Sequence, residues 1–154
     1  MLATPDRTRG ITRATTRLCL HLGWAPLPEV TLPNGRRADI LALRPDTTFA
    51  IIEIKSCARD YLSDTKWPDY RAYCDTLLFA VDLDFPQTLL PDSTGLIIAD
   101  THDATLLRDG PTHPLHPTRR RSLLTHYATL AATRLACLQD PTGTAERHAA
   151  LALE

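Results

Sequence analysis

The chain predicts an α/β domain, in which an antiparallel meander is extended by a parallel strand into one mixed sheet flanked by helices. Three observations predict this. Asn34-Gly35 separates two strand-like runs, Glu29-Val30-Thr31-Leu32 and Arg37-Ala38-Asp39-Ile40-Leu41-Ala42-Leu43, the strongest short-range hairpin signal a sequence offers. Phe49-Ala50-Ile51-Ile52-Glu53-Ile54-Lys55 has five apolar residues in seven and no Gly or Pro, the pattern of a buried strand. Leu77-Leu78-Phe79-Ala80-Val81 is a second fully apolar run, reached through a helical stretch and so expected to lie parallel to its neighbour.

Taken in order, residues from about Pro5 to Leu22 form the first helix. Thr4 caps it, Pro5 suits its first turn, and Ile11, Ala14, Thr15, Leu18, Cys19 and Leu22 recur at helical spacing before Gly23 stops it. The hairpin follows, and the turn Arg44-Pro45-Asp46-Thr47 leads into the central strand. The polar and aromatic segment Ser56 to Asp75 holds a short helix from about Asp64 or Thr65 to Cys74, with Pro68 in its first turn. After Leu77–Val81 come a strand at Gly95–Asp100 and a short edge strand at Ala104–Arg108. The loop Gly110–Pro117 contains His113-Pro114-Leu115-His116, where flanking prolines argue for a loop rather than a metal pair. A helix over Thr118–Leu138 carries Leu123, Leu124, Tyr127, Leu130, Ala131, Leu135 and Leu138 on one stripe, and the residues after Pro141 are weakly patterned. One domain over residues 1–140 and a C-terminal tail over 141–154 are therefore expected.

Bulk composition narrows the functional classes. A net charge of −1 excludes a globally basic polyanion binder, so any nucleic-acid contact must come from a local patch. No apolar stretch approaches the ~20 residues of a membrane span, and Met1–Arg7 lacks a signal core, so a cytoplasmic protein is expected. Cys19, Cys57, Cys74 and Cys137 show no C-x-x-C spacing, which reads as free thiols. There is no G-x-S-x-G, P-loop or H-E-x-x-H motif.

The chemistry concentrates at the end of the central strand. Alternation puts Phe49, Ile51, Glu53 and Lys55 on one face, and Ala50, Ile52 and Ile54 on the other. A carboxylate and an ammonium on a core strand are costly to desolvate and need partners or a task. The chain has two lysines against fifteen arginines, so a Lys here marks a place for a compact ammonium. Asp39, fourteen residues before Glu53, lies on the neighbouring strand, where the two carboxylates can meet. An ordinary ion pair at a strand end is the plain structural account of the same residues.

Asp39 followed one strand later by Glu53-x-Lys55, within helix–meander–helix–strand, resembles the PD-(D/E)xK, or restriction-endonuclease-like, nuclease superfamily. Leu32–Asp39, Glu53-Ile54-Lys55-Ser56, Lys66-Trp67-Pro68-Asp69-Tyr70, Cys74–Val81, Asp84-Phe85-Pro86 and Thr94–Asp100 resemble the MmcB-like DNA-repair family of bacteria, over most of the chain. The chain departs from the superfamily pattern in two places. Ala38 stands where Pro precedes the first acid, and the first helix has no acid after Asp6, leaving Glu29 as the nearby extra acid.

The resemblance implies a DNA-repair protein that hydrolyses phosphodiester bonds with Mg²⁺, or Mn²⁺ in its place. Asp39, Glu53 and the carbonyl of Ile54 would hold the ion, whose hard oxygen preference they meet. Lys55, beside two carboxylates, keeps its proton and so serves to position water and neutralise phosphate charge rather than to act as a base. Arg36 and Arg37 at the hairpin, with Lys66, Trp67 and Tyr70, are candidate DNA contacts, core packing being the other account of the two aromatics. Arg119-Arg120-Arg121 reads as a solvated basic cluster. Expected partners are DNA and, as further assemblies, a homodimer or other repair proteins, with no membrane. The alternative function is a catalytically weak or inactive nuclease-fold module that binds DNA or a repair partner, which the near-neutral charge and the missing helix acid favour.

Overall fold

The structure is a computed structural model that describes residues 4–151. Helix α1 (Thr4–His21) buries Ile11, Ala14, Thr15 and Cys19 along one face. It ends in a Schellman turn: the Trp24 N–H donates to the Cys19 carbonyl at 2.8 Å, and Gly23, at φ +74°, donates to the Leu20 carbonyl at 3.1 Å.

Six strands follow in sheet order identical to sequence order: β1 (Ala25–Thr31), β2 (Arg37–Leu43), β3 (Phe49–Lys55), β4 (Thr76–Asp82), β5 (Gly95–Ala99) and β6 (Ala104–Arg108). β1 to β3 form the antiparallel meander, β3, β4 and β5 run parallel, and β6 turns back antiparallel to β5. The mixed sheet is the one the sequence predicts. β1 starts at Ala25, earlier than the alternating pattern shows, because an edge strand tolerates Pro26 and Pro28 without losing inner ladder bonds.

Every residue of β3 is buried, and its two faces meet different layers. Ile52, Ile54, Leu78, Ala80 and Ile97 pack with Ile11, Ala14 and Cys19 of α1. On the opposite face Phe79 and Val81 pack with Phe85, Leu90 and Leu96, against which Tyr61 and Trp67 rest. Each buried Ile, Leu, Val or Phe side chain among them contributes roughly 1.5–3 kcal/mol. Gly95 is required by space: a Cβ there would stand 2.4 Å from the Asp109 carbonyl oxygen and 2.6 Å from Leu78 Cγ.

The segment after β3 differs from expectation. A short helix, α2 (Ala58–Ser63), precedes Lys66, and the expected helix is a 3₁₀ turn over Trp67–Tyr73. Six residues give too short a stripe to register as amphipathic, and Pro68 at the start of the second element fits the tighter winding.

The chain divides into two compact units at His116/Pro117. The second is helical, with α3 (Pro117–Gln139) and α4 (Pro141–Leu151) joined at Asp140. Asp140 caps α4, its Oδ1 accepting from the Gly143 N–H at 3.0 Å. Among the described residues no helix is long and apolar enough to cross a membrane.

Candidate functional site

The β2–β3 ladder ends at Ile40 and Ile52, one residue short of Asp39 and Glu53. Beyond it, side chains take over the hydrogen bonds. The Ile54 N–H donates to Asp39 Oδ2 at 2.8 Å, and the Asp39 N–H donates to Glu53 Oε1 at 3.2 Å. Each carboxylate thus satisfies an amide on the other's strand, which holds the two acids side by side at the sheet's fork. On the other side of β2, the β1 ladder also skips this level, and Glu29 there adopts φ +49°.

Glu53 is 4 % exposed, and burial followed by the Asp39 charge pushes its carboxyl up to about 8. Asp39 is also raised, by burial first and by Asp60, against the opposing pull of the Ile54 amide, Lys55 and Arg37. Lys55 turns its Nζ to Asp64 Oδ2 at 2.7 Å, so the expected ion pair exists, but with an acid of the following segment. Partial burial would raise Asp64, yet hydrogen bonds from Lys55 and from the Lys66 amide hold it below the usual carboxylate range. The repulsion between Asp39 and Glu53 is therefore not discharged by a direct bond to the ammonium.

A cavity of about 560 Å³ opens at this point, lined by Arg37, Asp39, Glu53, Ile54, Lys55 and Tyr70 among the expected residues. Tyr70 is buried and its hydroxyl donates to the Arg37 carbonyl at 2.9 Å; burial, then Glu53 and Asp39, raises its pKa. Ser56, Arg59 and Asp60 line the same cavity without having been named as site residues from sequence; Asp60 Oδ2 accepts from the Ser56 N–H at 3.2 Å. The dense polar run after Lys55 was their one signal.

Four expected residues lie outside this lining. Arg36 pairs with Asp69 at 3.4 Å and fastens the hairpin to the 3₁₀ turn. Lys66 is exposed and its amide caps onto Asp64 Oδ1 at 3.0 Å. Trp67 is half-buried, packing edge-on against Phe79 with centroids 5.3 Å apart and covered by the Arg71 guanidinium. Glu29 is exposed on β1.

Among the described residues no three His, Cys, Asp or Glu side chains gather as a metal-holding group; the donor set here is a carboxylate pair. Two hard oxygen donors, Glu53 buried and Asp39 half-buried, mutually repelling and facing an open cavity, fit a small divalent ion that keeps several waters. The engaged group of Ile54 is its amide, which orients Asp39.

A family model described as DNA repair protein MmcB-like matches residues 3–142. Among solved structures, the chain is similar to the SPO1766 protein of unknown function from Silicibacter pomeroyi. The identity is 38% and the TM-score 0.84, over 89% of this chain and 94% of that one. No curated protein matches significantly.

Proposed function

Because the chain belongs to the MmcB-like family of DNA repair proteins, we propose that it serves repair as a metal-dependent phosphodiesterase of the PD-(D/E)xK kind, acting on DNA through Asp39, Glu53 and Lys55. One observation supports this above all: Asp39 and Glu53 are fixed side by side at the fork of β2 and β3, at a cavity that also admits Lys55. A divalent ion bound there would supply Lewis acidity toward a phosphate oxygen and acidify water. Asp39 and Glu53 hold the site's negative charge in a fixed orientation. Lys55, steadied by Asp64, places an ammonium on the cavity wall, where it stabilises charge building on the phosphate. Arg37, held through its carbonyl by Tyr70, supplies a further cation.

The Lys55–Asp64 contact also favours a second reading. An ammonium already bonded to a carboxylate is less available to a substrate, as in a nuclease-fold module that binds DNA without cutting it.

The test is incubation with Mg²⁺ or Mn²⁺ and single-stranded, duplex, forked and nicked DNA. Cleavage that falls at least about 100-fold in both Asp39→Ala and Lys55→Ala supports the enzyme. Binding without cleavage on any substrate supports the module. Cleavage that persists in both variants refutes the assignment of these residues.

A further inference from the structure

The arginines of the first unit are mostly held by partners. Arg7 bonds Asp82, Arg36 pairs with Asp69, Arg44 with Asp109, and Arg71 reaches Ser93. Arg37 and Arg59 differ: each lines the cavity of the carboxylate pair, each is exposed, and neither guanidinium has a hydrogen-bond or ion-pair partner among the described residues. The acid next to Arg59 in sequence, Asp60, is turned to the Ser56 amide instead. A second observation comes from Ser56 itself. It lines the same cavity at 1 % exposure, and its hydroxyl has no hydrogen-bond partner among the described residues. Buried hydroxyls nearly always find partners, so this one is left with unused hydrogen-bonding capacity beside the two arginines.

The cations on this wall are Arg37, Lys55 and Arg59, of which Lys55 is already bonded to Asp64. The free donors are thus two guanidiniums, planar forks that match phosphate oxygens in two-point contacts. We propose that Arg59 and Arg37 form an anion-binding pair whose ligand is the phosphodiester backbone of a DNA strand. Arg59, carried by α2 directly after β3, is the new member of the site. The proposal rests on the DNA reading above, and it does not require cleavage.

The test is fluorescence anisotropy with a labelled oligonucleotide, single-stranded and duplex, in EDTA so that binding is read without hydrolysis. Arg59→Ala is expected to weaken binding about tenfold and to lower the slope of log Kd against log salt by about one, while Arg59→Lys keeps the slope. Arg59 has no partner to lose, so the variant's Tm is expected to be unchanged. Arg13→Ala, an exposed cation on α1 outside the cavity, is the control and is expected to change neither quantity. Wild-type affinity and slope in Arg59→Ala, an equal loss in Arg13→Ala, or no DNA binding by the wild type would each overturn the proposal. Arginine-dependent binding with no cleavage in Mg²⁺ leaves the pair standing and removes the hydrolytic reading. Cleavage with wild-type KM in Arg59→Ala does the reverse.

Discussion

Glu53 shows how a single side chain can set the chemistry of a site. It is buried on a core strand, its near neighbour is a second carboxylate, and its side chain accepts a hydrogen bond from the Asp39 amide. With its pKa raised from an ordinary 4.5 to about 8, it binds its proton more tightly in the native state than in the unfolded chain. The native state then carries more protons across that interval, so stability falls as pH rises through it. The melting temperature in EDTA is expected to drop between about pH 5 and pH 9, and Glu53→Gln to flatten that decline. Mg²⁺ is expected to raise Tm most at the alkaline end, the added stability being about 1.4 kcal/mol at ten times its Kd. Parallel pH profiles for wild type and Glu53→Gln would contradict this account. Of the residues singled out from sequence, Arg37, Asp39, Glu53, Ile54, Lys55 and Tyr70 share one cavity. Arg36 and Trp67 are engaged instead with Asp69 and Phe79, contacts set by distant parts of the chain.

At the level of elements, β3 delivers the site and is pinned at both ends. Its far end forks from β2 through the two carboxylates. Its near end is held by Asp75, 1 % exposed, whose Oδ2 accepts from the Phe49 N–H at 2.7 Å and whose Oδ1 accepts from the Leu115 N–H at 2.9 Å. One buried carboxylate thus ties the start of β3 to the loop before α3. Asp75→Ala leaves two buried amides without acceptors and is expected to cost about 2–4 kcal/mol in urea unfolding, with an unchanged m-value. A loss below about 0.5 kcal/mol would mean the loop and strand find other partners. α2 is the element sequence reading missed, and it carries Arg59 and Asp60 to the cavity. Its six residues bury none of their own number, so no hydrophobic period could reveal it.

For the molecule as a whole, the thiols report which parts open together. Cys19 and Cys74 are buried, and burial pushes both thiols up to about 12, whereas Cys57 and Cys137 are half-buried. Alkylation of the native protein near pH 8, mapped by mass spectrometry, is expected to reach Cys57 and Cys137 first. Cys19 and Cys74 should react only at the rate of opening of the core they help form. Rapid labelling of Cys19 would show that α1 detaches from the sheet without global unfolding. The meander was legible because its hairpin and turn signals are local, and the parallel β4 because a helical stretch separates it from β3; the consecutive order of all six strands came from the structure.

The sequence alone determined the meander, the parallel continuation and the face shared by Glu53 and Lys55, because strand alternation and hairpin chemistry act over a few residues. Tertiary structure decided which partner Lys55 takes, that the carboxylates replace ladder bonds at the fork, and that Arg59 reaches the cavity while Trp67 packs against Phe79. Those outcomes depend on where strands part and on where a six-residue helix sets its side chains, distances that no local period encodes.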